Sequence, residues 1–344
     1  MLKKLLAGFI IAVVAGAGLH AQGGRQGGAP AGGRGGGGND PFPTQEKFES
    51  STQAQQHVAN AMKIAGSDLQ AEAKAFCTRT GPQRVALARQ AQGLPPLPDR
   101  PLEPIKMFEN LYYLGFSDVG MWAIPTSDGI ILFDALNSAD EGRDVIAGGL
   151  KKLGMDPAQI KYLIVGHGHN DHTGGGAYLQ TTYKPRVIMG GPDWDSHIKG
   201  ARADRPAMTR DMVATDGQKV TVGDTTVTIV LTPGHTPGTI GMIVPVKHLG
   251  RTHNVLLLSG TQMPNRQSLG VFAHVFNDFA KKMNAEAALG AHPDILMNKL
   301  TAMEQMTKQY PTGAHPLLMG PEKFARYLDI MLECGRARLA ALGS

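Results

Sequence analysis

Three histidines and one aspartate fall within six residues at His167-Gly168-His169-Asn170-Asp171-His172, with glycines on either side. Imidazole and carboxylate are the donors that a borderline divalent ion such as zinc prefers, and glycine lets a backbone fold tightly around an ion. One histidine at the end of an apolar run is ordinary, but four donors this dense are hard to explain as packing. A second segment, Thr232-Pro233-Gly234-His235-Thr236-Pro237-Gly238, follows another apolar run, and its prolines and glycines hold the turn rigid and present the ring. Alone it would be a surface turn; beside the first motif it becomes a further donor. A third candidate is His292, in Leu289-Gly290-Ala291-His292-Pro293-Asp294, read as lying between two helices. Zinc held by such donors lowers the pKa of bound water to about 7, which yields hydroxide at neutral pH without a protein base.

The elements that must position these donors begin at a boundary rich in proline, Pro95 to Pro104. Beyond it Leu111–Phe116, Val119–Ile124 and Ile130–Phe133 read as strands, the last two joined by a turn through Ser127-Asp128-Gly129. Ala139 to Leu153 has helical periodicity, and the strand Tyr162–Val165 runs straight into the histidine-rich motif. Val187–Met189, Val220–Val222, Val227–Leu231, Ile240–Val244 and Val255–Leu258 follow as strands; Val271 to Leu289 reads as mostly helical, and Pro321 to Leu342 as a long amphipathic helix. Mixed strands and helices with early hairpins predict an α/β sandwich rather than a purely parallel sheet. Tyr112, Tyr113, Trp122, Trp194, Phe272 and Phe276 are read as core rather than as a substrate groove.

The 344 residues, 42% hydrophobic and 18% charged, can fill a sizeable core and exclude a wholly disordered chain. Ten of the sixteen residues from Gly23 to Gly38 are glycine, a flexible tether by composition. Of the formal charge of +5, Lys3, Lys4, Arg25 and Arg34 supply four, so the remainder is near neutral and nucleic acid is not an expected partner. Lys3 and Lys4 precede the apolar run Leu5 to Leu19, which ends in small residues near Ala21: an export signal, too short and interrupted for a comfortable membrane span. Residues 1–21 are therefore expected to be a signal peptide, 22–43 a Gly-rich linker, 44–105 a helical extension and 106–344 the α/β domain with its C-terminal helix. A periplasmic or secreted location follows, with no stable membrane insertion after cleavage. The two cysteines, Cys77 and Cys334, then meet an oxidising compartment and are expected to pair, tying the N-terminal helices to the C-terminal helix.

The three donor segments resemble the metallo-β-lactamase superfamily. His167-Gly168-His169-Asn170-Asp171-His172 matches its HxHxDH signature, and Asp128-Gly129-Ile130-Ile131-Leu132-Phe133-Asp134 resembles an earlier family strand with its terminal acid. The resemblance covers about Leu111 to His315 and implies a four-layer αββα sandwich with the metal site along one edge, between the sheets. Carried over residue by residue, it implies two zinc ions, the first on His167, His169 and His235 and the second on Asp171, His172 and His292. Asp171 and Asp134 are the acids it places in the catalytic centre, with Asp134 orienting a ligand or the loop. Many of these hydrolases add a bridging acid after a later strand; here that stretch is Leu258-Ser259-Gly260-Thr261-Gln262, without one. With no cysteine ligand either, the pattern resembles the third subclass of metallo-β-lactamases.

That resemblance implies an exported dinuclear zinc hydrolase opening the amide of a small-molecule β-lactam by attack of hydroxide held at the metals. Lactamases of this type place serines where Thr261 and Gln262 stand, so Thr261, Gln262 and Arg266 are the expected substrate-binding residues. The alternatives are a lactonase or esterase on the same zinc centre, then an exported zinc-binding protein without activity.

Overall fold

Strands that are apolar at nearly every position need cover on both faces, and the computed structural model supplies it with two sheets and two helical layers. It describes residues 42–81, 85–260, 266, 268–293 and 299–343. The expected signal peptide, residues 1–21, and most of the expected Gly-rich linker lie outside these residues. Among them, the first sheet runs in chain order: β1 (Ile105–Phe108), β2 (Leu111–Gly115), β3 (Gly120–Thr126), β4 (Gly129–Phe133), β5 (Ile160–Ile164), β6 (Arg186–Met189) and β7 (Met212–Val213). It is antiparallel up to β4 and parallel from there. The second sheet holds β8 (Lys219–Val222), β9 (Thr225–Leu231), β10 (Ile240–His248), β11 (Arg251–Leu258) and β12 (Ala285–Gly290), antiparallel except for the β11–β12 pair.

The two-residue period of each strand sorts its side chains between layers. Ile131 and Phe133 of β4, Val227 and Ile229 of β9, and Val255 and Leu257 of β11 meet between the sheets with Phe108, Trp122 and Met242. Their neighbours point outward. Leu132 and Leu163 pack under Ile146, Leu150, Leu179 and Trp194, while Val230, Ile243 and Leu256 pack under Phe272, Phe276, Tyr327 and Met331. Each fully buried Leu, Ile or Phe contributes roughly 1.5–3 kcal/mol relative to exposure. Tyr113, Trp122, Trp194, Phe272 and Phe276 are all buried in these layers and Tyr112 partly so.

The helices follow the strands they cover. α1 (Gln45–Ser50), α2 (Thr52–Ala65), α3 (Gln70–Phe76) and α4 (Val85–Ala91) precede the sheets. α5 (Ala139–Glu141) and α6 (Gly148–Lys152) enclose a π-helical stretch, Gly142–Ala147, so the expected helix over 139–153 forms with an irregular middle. α7 (Asn170–Thr173), α8 (Gly176–Tyr183) and α9 (Gly191–Lys199) fill the crossovers of the parallel half. α10 (Leu269–His274) continues as the π turn Val275–Ala280, and α11 (Lys299–Met306) and α12 (Pro321–Ala341) end the fold.

One element departs from expectation. The helix read over Val271–Leu289 stops early, and Ala285-Glu286-Ala287-Ala288-Leu289-Gly290 is strand β12, in parallel register with β11 from Asn254–Ala285 to Leu258–Gly290. Those residues favour helix in isolation, but tertiary context overrides the preference. The small Ala285 and Ala288 side chains join the layer under α12, while Ala287 and Leu289 enter the core between the sheets. His292 therefore follows a strand rather than a helix.

The N-terminal helices are fixed along α12. Cys77, just after α3, is disulfide-bonded to Cys334 with the Cα atoms 4.6 Å apart. Arg326 makes a double ion pair with Asp68, each N···O 2.9 Å, and also donates to the carbonyls of Ile64 and Ala65 at the end of α2. His57 meets Glu333 at 2.8 Å. Among the described residues no helix is long and apolar enough to cross a membrane.

Candidate metal centre

Four of the six donors sit where β5 ends. After Ile164 the chain passes through Val165 and Gly166 to His167, then His169 and the single turn of α7, which carries Asp171 and His172. A Cβ on Gly166 would lie 2.1 Å from the Cβ of Ser259, so only glycine lets this turn pass the end of β11. His235 comes from the turn between β9 and β10, and Gly260 runs against it: a Cβ there would lie 2.6 Å from the His235 ring. His292 comes from the turn after β12.

The donor atoms converge. Nδ1 of His169 lies 3.1 Å from Nε2 of His167 and 3.0 Å from Nε2 of His235, and all three nitrogens lie within 4.8 Å of one another. Oδ2 of Asp171 lies 3.2 Å from Nε2 of His172 and 3.4 Å from Nε2 of His292, and Asp171, His172 and His167 form a second close group. A single shared proton can bridge one pair of such nitrogens; a cation satisfies the whole set.

The hydrogen bonds behind the ligands fix which nitrogen each ring presents. Asp134 is fully buried, with Oδ1 accepting from the backbone N–H of Gly166 at 2.7 Å and Oδ2 from Nδ1 of His172 at 2.8 Å. Ser259 Oγ donates to Asp134 Oδ2 at 3.3 Å, so His167 Nδ1, 2.8 Å from that hydroxyl, is its donor. His292 Nδ1 donates to the carbonyl of Asp118 at 2.6 Å. In each case Nδ1 carries the proton and Nε2 is turned toward the cluster, the arrangement by which outer hydrogen bonds orient metal ligands. Asp134 holds a left-handed φ of 74° to do this, a conformation aspartate tolerates better than most residues. It thus touches both a candidate ligand and the loop that carries the others.

The electrostatics agree with a cation site. Burial, reinforced by the neighbouring histidines, lowers His167 well below its usual value and takes His235 down to about 4, and burial also lowers His169, so the three rings present neutral donors. Burial acts the same way on His172, but the Asp134 and Asp171 carboxylates on either side outweigh it and raise the ring to about 10. Asp171, despite its own burial, is held far below the carboxylate range by His172 and His292. Positive charge is thus favoured between Asp134 and Asp171 even without metal. Nε2 of His172 is buried and, with Asp171 Oδ2 3.2 Å away, makes no well-aligned hydrogen bond among the described residues, a costly state for a polar atom unless an ion takes it. The residues present fit zinc by donor type.

Two supports of the centre carry no distinctive signal in the sequence. Ser259 stands where an acid would be looked for and is one serine among many. Asp193, in α9, is buried and accepts from Gly168 N–H at 2.7 Å, Gly238 N–H at 3.0 Å and the Thr236 hydroxyl. It thereby clasps the His167–His169 loop to the His235 turn. An acid in the first turn of a helix is commonplace. Of the expected substrate residues, Arg266 is exposed in the stretch after β11, and Thr261 and Gln262 lie outside the described residues.

The metallo-β-lactamase superfamily model matches residues 115–248, which carry strands β3 to β10, the histidine motif and the His235 turn. Two N-acyl homoserine lactonases named AttM are similar in sequence: that of Agrobacterium fabrum is 35% identical over 98 residues, 26% of this chain, and that of Azorhizobium caulinodans 33% over 110 residues, 29% of this chain. The chain spans only 37% and 42% of those relatives' lengths. Among solved structures, BJP-1, a subclass B3 metallo-β-lactamase of Bradyrhizobium japonicum, superposes with a TM-score of 0.55 at 29% identity, covering 67% of this chain and 91% of that one. SMB-1, another metallo-β-lactamase, shares the fold at 21% identity and a TM-score of 0.55, covering 70% of this chain and 95% of that one. Residues 115–248 thus match the metallo-β-lactamase superfamily model, and the fold is that of solved metallo-β-lactamases, a subclass B3 enzyme among them.

Proposed function

We propose that the protein is a zinc hydrolase with two ions per chain that opens the amide ring of β-lactams outside the cytoplasm. The observation that carries this reading is the convergence of His167, His169 and His235 beside Asp171, His172 and His292, with Nε2 of the buried His172 left without a well-aligned hydrogen bond among the described residues. His167, His169 and His235 would hold one ion and Asp171, His172 and His292 the other. When bound, such ions polarise the scissile carbonyl and lower the pKa of water they hold. The chain's own part is to present neutral imidazoles, to keep them aimed through Ser259, Asp134 and the Asp118 carbonyl, and to hold the two ligand loops in register through Asp193.

Two features favour a lactam over other substrates of this centre. Where many of the resembling hydrolases carry a bridging acid stands Ser259, its hydroxyl engaged by His167 and Asp134. The likeness to the subclass B3 enzyme BJP-1 also covers most of that enzyme, whereas the lactonase likeness covers under half of either partner. The second reading, a lactonase, rests on the AttM identity. Export rests on Lys3, Lys4 and the apolar run after them. The test is a hydrolysis panel on zinc-loaded protein with a penicillin, a cephalosporin, a carbapenem, an acyl-homoserine lactone and a phosphodiester. Lactam turnover abolished by chelation is expected; brisk lactone hydrolysis with no lactam turnover would establish the second reading instead.

A further inference from the structure

A cavity opens against one side of the ligand cluster. Gly168 and His169 form its inner wall; Ser196, His197 and Gly200, at the end of α9, and Arg205, in the loop toward β7, close it. No carboxylate lines it among the described residues.

Its donors divide into those engaged and those left over. The Ser196 hydroxyl donates to the Pro192 carbonyl at 3.0 Å. His197 Nε2 accepts from the backbone N–H of Met208 at 2.9 Å, so the neutral ring carries its proton on Nδ1, and no partner for Nδ1 is found among the described residues. The Arg205 guanidinium likewise has no hydrogen bond or ion pair among them. The nearby acids are committed elsewhere, Asp204 to Arg202 at 3.4 Å and Asp195 to Arg210. Burial and the charge of Arg205, which lines the same cavity, both lower His197. A half-buried arginine and an imidazole with an uncommitted N–H line one cavity free of acids, a donor pair suited to an anion.

We propose that Arg205, assisted by His197 Nδ1–H, binds the carboxylate of the substrate, so that the site selects anionic cyclic amides over neutral lactones. A guanidinium matches a carboxylate with two parallel hydrogen bonds, which a point charge cannot reproduce. This inference rests on the hydrolase reading and assigns its substrate class to residues of the β6–β7 connection, not to Arg266 after β11.

The test compares wild type, Arg205→Ala, Arg205→Lys and Arg266→Ala as zinc-loaded full chains, on benzylpenicillin and its uncharged methyl ester. Zinc content is measured in each to confirm that the centre is intact. In Arg205→Ala the ratio of KM for the acid to KM for the ester should rise by about tenfold or more, the scale of one charge-assisted contact. Arg205→Lys should fall between that variant and wild type, and Arg266→Ala should leave the ratio near wild type. An unchanged ratio in Arg205→Ala overturns the proposal, as does a rise confined to Arg266→Ala. If wild type hydrolyses neither compound, the lactam reading fails, and equilibrium binding of the two intact compounds, followed by ligand-observed NMR, still decides the matter for Arg205. Weaker binding of the acid alone in Arg205→Ala supports the site; equal weakening of both refutes it.

Discussion

Asp193 makes no hydrogen bond to a candidate ligand ring among the described residues, yet its replacement should damage both stability and metal binding. Its carboxylate is buried and accepts from Gly168 N–H and the Thr236 hydroxyl on Oδ2 and from Gly238 N–H on Oδ1. Hydrogen bonds to a charged group are each worth about 1.5–3 kcal/mol, and a buried donor left unpaired carries its full desolvation cost. Contacts in one site do not add. For Asp193→Ala, with three donors orphaned, we expect a loss of about 3–5 kcal/mol. Asp193→Asn can keep one oxygen toward Gly168 and Thr236, but its amide then faces the Gly238 N–H, donor against donor, and a loss of about 2 kcal/mol is expected. Because Asp193 ties the His167–His169 loop to the His235 turn, zinc affinity should also fall by about 10–100-fold, as for other residues that support ligands without touching the metal. Urea unfolding at a shared m-value reads the first effect, and competition with a fluorescent chelator reads the second. An Asp193→Ala protein with the wild-type midpoint and zinc affinity would refute the reasoning.

Asp134→Asn should weaken zinc binding by about 10–100-fold through His172, whose Nδ1 loses its carboxylate acceptor; chelator competition showing wild-type affinity would count against it. Breaking the Cys77–Cys334 bridge, which spans 257 residues, should destabilise by up to about 5 kcal/mol in the chain-entropy model, and intact mass after alkylation without reductant should show no free thiol. His315, buried with Nε2 donating to the Met107 carbonyl, is depressed to about 4 chiefly by burial. Its unfolded value is near 6.5, so the unfolded state binds the extra proton between these values. The contribution is complete above about pH 6.5 and is lost as pH falls toward 4, by at most about 3 kcal/mol. His315→Gln should unfold with a shallower pH slope in that window; identical slopes would show that His315 does not carry the effect.

The residues of the candidate centre were legible because donor types are dense in sequence: four of them stand in one six-residue run, and His235 repeats the pattern of strand, then glycine-rich turn. The two-faced strands were legible for the same local reason. What escaped were features made by distance. β12 has the composition of a helix and becomes a strand because β11 offers it a parallel partner and α12 needs a flat, small-residue surface. Local spacing rules cannot find Ser259 or Asp193 either, since each acts on residues 25 to 125 positions away. Asp68 pairs with Arg326 of α12, 258 positions away, a contact that no local pattern announces, and α3 starts after Leu69 without a side-chain cap.

The central claim is that six residues from three separated segments hold two ions. It is tested most directly by elemental analysis of zinc per chain after exhaustive dialysis against metal-free buffer, for wild type, His235→Ala and His292→Ala. The account predicts about two ions in wild type and about one in each variant, because each substitution removes one ligand from a different set of three. One ion or none in wild type would contradict it, and an undiminished two in His292→Ala would show that His292 is not the sixth ligand.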